Sequence, residues 1–223
     1  SDVCSSDLYV ANLPYGRAHI NMRQAKWNGQ SLLMATYPNW FKIEAINFFD
    51  RNLKHLGGNP GLQFLQIGTY TGDASVWLKD NILTHATSYL TDVDTWEGSD
   101  ESIHKQFNWQ SIEEVYDNKL FDYKNVIKYK GTSFSFLESA KKDHYDFIYI
   151  DGDHTEAGTY SDAVMSWPCL KSGGIMAFDD YHWQHESGRE ELRPAPAIDK
   201  FIEQNKDNLT VIEIGYQYWI KKS

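Results

Sequence analysis

Carboxylates and a histidine gather at the ends of apolar runs in this chain. Asp94 follows one such run, Asp151-Gly152-Asp153-His154 follows another, and Asp179-Asp180-Tyr181 follows a third. Asp151, Asp179 and Asp180 together would suit Mg²⁺, a hard ion that prefers oxygen ligands. The plainer alternative is a set of solvated loop carboxylates, some capping the next helix. Acidic groups brought to one edge repel one another unless something positive lies among them. Asp153 and His154 are the candidates for a general base, because each would lie near a metal-bound hydroxyl; a loop histidine bonded to a neighbour is the bland reading of His154.

A second constellation precedes these. The run Phe64 to Ile67 leads into Gly68-Thr69-Tyr70-Thr71-Gly72 and then into a helix-like pattern through Ala74, Val76, Trp77 and Leu78. Glycines at that turn let the backbone bend tightly and approach a ligand without a Cβ in the way. The new helix then offers unpaired N–H groups to a nucleotide-like ligand. Asp94 ends the next apolar run, where a carboxylate can accept both hydroxyls of a ribose; Asp92 competes for that role. Ser133 can bond an adenine edge or simply form a turn.

The elements that must position these residues alternate. A helix carries Ile43, Ile46, Phe49, Leu53 and Leu56 at helical spacing and stops at Gly57-Gly58. Strands are expected at about 63–67, 88–93, 126–129, 145–150 and 175–178, with helices between them and a further helix through Ile198, Phe201 and Ile202. Two final strands, 209–214 and 216–220, turn at Gly215, which makes the last one antiparallel. The run Tyr145 to Ile150, broken only by Asp146, implies burial on both faces, as in a parallel sheet. The pattern predicts an α/β fold: a Rossmann-like, doubly wound, mostly parallel seven-stranded sheet with an antiparallel last strand and helices on both faces. Ligands bind such sheets beyond the carboxyl ends of the strands.

The chain has 223 residues, enough for one such domain, here residues 39–223, after an N-terminal extension at 1–38. Residues 1–8 read as non-native sequence and are set aside. Trp27 to Tyr37 is expected to hold a short helix or a lid. The 21 basic residues against 31 acidic ones give a net charge of −10, which argues against a broad phosphate-gripping face for nucleic acid. No apolar run approaches the ~18 residues of a membrane span. Cys4 and Cys169 form no metal-ligand spacing, so a reducing, cytoplasmic setting is expected, with Cys169 as a buried structural thiol. The expected partner is a small-molecule acceptor, with no nucleic acid and no membrane; the sequence leaves a homo-oligomer open.

From about Asn39 onward the chain resembles the class I S-adenosylmethionine-dependent methyltransferases. The likeness rests on Phe64 to Gly72, on Asp94 to Ser99, on the fourth strand ending Ile150-Asp151-Gly152-Asp153-His154, and on Gly173-Gly174 leading to Asp179-Asp180-Tyr181. It is strongest to the branch that includes sugar O-methyltransferases. The resemblance implies S-adenosylmethionine as cofactor. It places the methionine part at Gly68, Thr69 and Gly72 with Gln66 beside them, the ribose at Asp94 and Thr95, and the adenine near Ser133, with Asp151 lining the same cleft. It implies Mg²⁺ at Asp151, Asp179 and Asp180, and Asp153 as base. The family usually has Glu or Asp where this chain has Gln66, which accepts a hydrogen bond but brings no charge. The implied reaction is O-methylation of a small-molecule or sugar hydroxyl. Two other classes compete: a glycosyltransferase with a metal-bound Asp-x-Asp pair (Asp92/Asp94 or Asp151/Asp153), and a non-catalytic Rossmann-like binding domain.

Overall fold

The computed structural model describes the backbone of residues 21–27 and 30–36 and all of residues 37–223. The chain forms two compact units, residues 1–40 and 41–223. In the first, β1 (Asn21–Trp27) pairs antiparallel with β2 (Gln30–Thr36), in register from Asn21 against Thr36 to Trp27 against Gln30. The short helix expected within 27–37 is thus replaced by a strand, β2. The signal for it is the dipeptide Asn28-Gly29 between two seven-residue runs, the sequence most favourable to a hairpin connection.

The second unit is built on a seven-stranded sheet. Its strands are β3 (Gln63–Ile67), β4 (Tyr89–Asp94), β5 (Val126–Lys130), β6 (Tyr145–Ile150), β7 (Leu170–Phe178), β8 (Leu209–Ile214) and β9 (Tyr218–Lys222). They lie in the order β5-β4-β3-β6-β7-β9-β8. The pairings among β3 to β7 are parallel, and β9 runs antiparallel to both its neighbours. This is the doubly wound sheet expected from the alternation of elements, with the order reversing between β3 and β6. A ligand crevice belongs at that reversal, because the loops leaving β3 and β6 diverge to opposite sides there.

Among the described residues, six α-helices accompany the sheet: α1 (Ile46–Leu53), α2 (Asp73–Asn81), α3 (Trp109–Leu120), α4 (Ser133–Leu137), α5 (Glu156–Ser166) and α6 (Ala195–Asn205). Alternate residues of each central strand face opposite layers. On β6, Ile148 and Ile150 join the core under α5 and α6, while Phe147 and Tyr149 join the core under α1 and α2. The helix expected from Trp40 is in fact three pieces: a π-helical turn at Phe41–Ala45, then α1, then a 3₁₀ turn at Lys54–Leu56. β7 starts five residues earlier than expected, at Leu170. It absorbs Gly173 at φ +77° and a register irregularity opposite Tyr145 and Phe147. A glycine pair that reads as a turn therefore works here as a break within a strand.

Phe49 of α1 anchors the second core. Its ring is fully buried and meets Phe41, Trp77, Phe147, Tyr149 and Trp219 edge to face, with centroids 4.9 to 5.9 Å apart. Such pairs add to what area burial alone contributes. Phe49→Ala is expected to lower unfolding stability by about 3–5 kcal/mol. Urea titration followed by tryptophan fluorescence checks this, and a loss under ~1 kcal/mol would show that the cluster is not the anchor of this layer.

Candidate active site

The turn after β3 is shaped by contacts within the protein. Gly68 has φ +82°, and a Cβ there would lie 1.8 Å from the Asp151 carbonyl oxygen. Gly72 has φ +77°, and a Cβ there would lie 2.8 Å from the side chains of Tyr116 and Leu120. The first glycine thus lets the end of β3 lie directly against the end of β6. The second seats the start of α2 against α3.

Asp94 ties this turn to the end of β4. One of its carboxylate oxygens accepts the N–H groups of Thr69 at 2.7 Å and Tyr70 at 2.9 Å, and the other accepts the Trp96 N–H at 2.7 Å. Tyr70 and Trp96 both have positive φ, and the Trp96 indole donates to the Tyr70 carbonyl. Three amides aimed at one carboxylate hold both residues in a conformation that side chains otherwise avoid. Thr95 beside it accepts the Glu97 N–H.

Gln66 lies below the turn, fully buried. Its amide donates to Ser75 Oγ and to Asp92 Oδ1, each at 2.8 Å, and Tyr116 donates to the other Asp92 oxygen at 2.8 Å. A carboxylate at position 66 would face that of Asp92 across a hydrogen-bond distance, so an amide there avoids the repulsion. Burial pushes Asp92 up to about 6, against the opposing effect of its three hydrogen bonds. Two buried polar atoms in this region have no partner among the described residues: Gln66 Oε1 and Thr69 Oγ1. Ser133, expected near an adenine, opens α4 and hydrogen-bonds to the buried Asp162 of α5.

The second half of the site lies at the ends of β6 and β7. Asp151, His154 and Asp180 bring ligand atoms within 4.8 Å of one another. His154 Nε2 is 3.1 Å from Asp180 Oδ2 and 3.6 Å from Asp151 Oδ1. Its Nδ1 lies 3.0 Å from Glu101 Oε1, off the line of a hydrogen bond. Asp180 adopts φ +58°, a left-handed conformation that aspartate tolerates better than most residues.

Asp179 is placed differently from its neighbour. Tyr149 donates to one of its oxygens at 2.5 Å and Gln217 to the other at 3.0 Å, while Trp219 fixes the Gln217 carbonyl at 2.9 Å. Asp153 faces the helix that follows it: its Oδ1 accepts the Thr155 N–H, and Thr155 caps α5. Of the residues expected to carry chemistry, the structure therefore groups Asp151, Asp180 and His154. Asp179 sits beside them in its own hydrogen-bond set.

Burial and mutual repulsion set the electrostatics. Burial, then Asp179 and Asp180, raises Asp151 well above the usual carboxylate range; burial and Asp180 push Asp179 up to about 6. Burial also raises Asp180, although His154 opposes it. Burial alone would lower His154, but Asp180, Asp151 and Glu101 together raise it well above its usual value. Glu101 also resists ionisation through burial, yet His154 and His104 bring it down to about 2. Glu44, in the π-helical turn, is raised by burial and by Asp179. Neither Glu101 nor Glu44 stands out in the sequence, because each lies in a polar stretch far from the motifs it joins in space.

A small cleft over His154 is lined by Ser99, Glu101, Asp153, Trp183 and Leu192 among others. It brings the loop after β4 and the loop after β7 to one place, and Ser102 of the first donates to Glu186 of the second at 2.6 Å.

Residues 65–181, more than half of the chain, match the family described as "Methyltransferase domain". The chain belongs to that family. Solved structures share the fold of this methyltransferase domain at low sequence identity. The O-methyltransferase NovP aligns with a TM-score of 0.60 at 16% identity, covering 78% of both chains. The O-methyltransferase TomG from Streptomyces achromogenes, involved in tomaymycin synthesis and solved with S-adenosylmethionine, aligns at 0.55 and 13%, covering 86% of this chain and 82% of its own. An O-methyltransferase from Bacillus cereus, solved with S-adenosylhomocysteine, aligns at 0.52 and 16%, covering 78% and 79%. No curated protein sequence matches significantly. Among the described residues, no helix is long and apolar enough to cross a membrane, and Cys169 is free and buried, as expected.

The buried Asp92 makes stability depend on pH. Its folded value, about 6, lies above the ordinary 3.8, so the folded protein binds this proton more tightly and its stability falls as pH rises from about 4 to about 6. The size of the fall is on the order of 2–3 kcal/mol. Asp92→Asn is expected to flatten the curve in that window relative to wild type. Parallel curves in urea titrations across pH 4–7 would remove Asp92 as the cause.

Proposed function

We propose that this methyltransferase domain transfers a methyl group from S-adenosylmethionine to a hydroxyl of a small-molecule acceptor, with a divalent cation at the acceptor side. One observation carries the reading. The glycine turn tied by Asp94 and the group Asp151, His154 and Asp180 are continuous at one edge of the sheet, joined where Gly68 packs on Asp151. The family match supports it, and so does the likeness to neighbours solved with the cofactor or its product.

The residues present fit both groups. Gln66 Oε1 and Thr69 Oγ1 are acceptors without partners beside the glycine turn. Asp94 has its oxygens turned toward that turn, where a carboxylate can also accept ribose hydroxyls. Gly68, Thr69, Gly72 and Thr95 line the same bend, with Ser133 beyond it. When bound, S-adenosylmethionine supplies a methyl group already activated by its sulfonium. The donor set of two carboxylates and an imidazole suits a divalent cation, whose chemistry would be to lower the pKa of a coordinated hydroxyl. The carboxylates suit Mg²⁺, and the imidazole suits a transition ion such as Mn²⁺; Asp179 supports these ligands from its bonds to Tyr149 and Gln217.

The protein's own part is alignment and proton removal. The loops after β4 and β7 hold the acceptor in line with the methyl group. Trp183 offers a face for stacking in the cleft over His154. Asp153, at the wall of the same cleft, is the residue proposed to take the hydroxyl proton. The Asp-x-Asp glycosyltransferase alternative loses its basis in geometry. Asp92 is fully buried beneath Gln66 and Tyr116, and Asp153 supplies no ligand atom to the group formed by Asp151, His154 and Asp180.

S-adenosylhomocysteine is expected to raise the melting temperature, while NAD and UDP-sugars leave it unchanged. Asp94→Asn should weaken that shift at least tenfold in ligand concentration. No shift with either adenosyl compound would end the methyltransferase reading. Against a panel of hydroxylated acceptors, turnover should fall by more than tenfold with chelator and recover with Mg²⁺; equal rates would remove the cation.

A further inference from the structure

We infer that Glu101 is a positioning residue for His154: it holds the ring from the Nδ1 side, so that Nε2 is presented to Asp151 and Asp180 as the third donor atom of a divalent-cation site. The inference rests on the cation reading above. It concerns a residue from a different loop, one that no motif marks.

The geometry is that of a ring gripped at both nitrogens. Glu101 Oε1 stands 3.0 Å from Nδ1, while Asp180 and Asp151 stand 3.1 and 3.6 Å from Nε2. The two imidazole nitrogens are not equivalent. The group at one fixes which tautomer is held and which nitrogen is left to bind. A carboxylate 3.0 Å from Nδ1, though off the line of a hydrogen bond, favours the proton on that nitrogen and so leaves the Nε2 lone pair for a cation; outer partners of this kind orient metal-binding histidines. The pair is also well shielded: the Glu101 and His154 side chains are only 12% and 18% exposed. A solvent-exposed ion pair would do little positioning.

Glu101 is itself held in place. Ser99 Oγ donates to its Oε1 at 2.8 Å, and the Ser99 N–H donates to His104 Nδ1 at 3.2 Å. Trp109 at the start of α3 donates to the His104 carbonyl at 3.0 Å, and its ring meets His104 edge on at 5.0 Å. The loop is therefore pinned to α3 at one end and to Glu186 at the other. On the far side of His154, Trp183 packs its ring 5.1 Å away. The imidazole lies between the two loops that line the cleft.

Mn²⁺ binding, followed by the loss of the free-ion electron paramagnetic resonance signal, tests the role without any acceptor. Glu101→Ala should weaken Mn²⁺ binding about 10–100-fold. Glu101→Gln, which keeps an oxygen facing Nδ1, should bind within about threefold of wild type. Circular dichroism and the melting temperature should show both variants folded. The proposal is overturned if Glu101→Ala binds as wild type does, or if the Gln variant loses as much as the Ala variant, which would make the effect one of charge alone. It is overturned too if wild type binds no Mn²⁺. In that case a shift with S-adenosylhomocysteine still supports methyl transfer, whereas intact Mn²⁺ binding with no such shift would end the methyltransferase reading and leave Glu101 standing.

Discussion

Negative charge held away from water is the constraint around which the carboxyl edge of this sheet is arranged. Asp151, Asp179, Asp180 and Glu101 meet there, and all but Glu101 are raised by burial and by one another. A buried carboxylate is tolerated when it is paired or hydrogen-bonded. The protein uses both means. His154 stands among Asp151, Asp180 and Glu101, and Asp179 is held by Tyr149 and Gln217. The same device recurs one layer down, where Gln66 and Tyr116 hold Asp92.

The topology makes these pairings possible. β9 enters antiparallel between β7 and β8, and the turn before it places Gln217 next to Asp179 at the end of β7. Trp219, two residues on, faces the same layer and joins both the Gln217 carbonyl and the aromatic cluster around Phe49. The packing of that core and the orientation of a carboxylate at the site are thus linked through one strand. The close seating of Gly68 on Asp151 does the same for the parallel half, fixing the cofactor turn to the acidic group.

Much of this is visible in the residues alone. Five apolar runs, each ending in glycine or aspartate, were enough to place the parallel strands, because period and burial are written locally. The motifs at their ends follow, since the carboxyl edge is where a doubly wound sheet exposes its loops. Other features were not visible. The hairpin of β1 and β2 has a marker in Asn28-Gly29, but its strands lack clean alternation of apolar and polar residues. The start of β7 at Leu170 is hidden in the sequence because Gly173-Gly174 has the composition of a turn.

The alternation of strands and helices, the acidic character of one edge and the glycine turn all depend on residues close together in the chain, so they can be read there. Which carboxylates meet depends on how the distant loops come together in the folded chain. That folding grouped His154 with Asp151 and Asp180, set Asp179 apart, turned Asp153 toward α5, and brought in Glu101 from fifty residues upstream of Asp151. Neighbouring aspartates in a motif read alike. A turn in the left-handed conformation at Asp180 and a hydrogen bond from another strand to Asp179 send them to different partners, and neither is encoded within the motif itself.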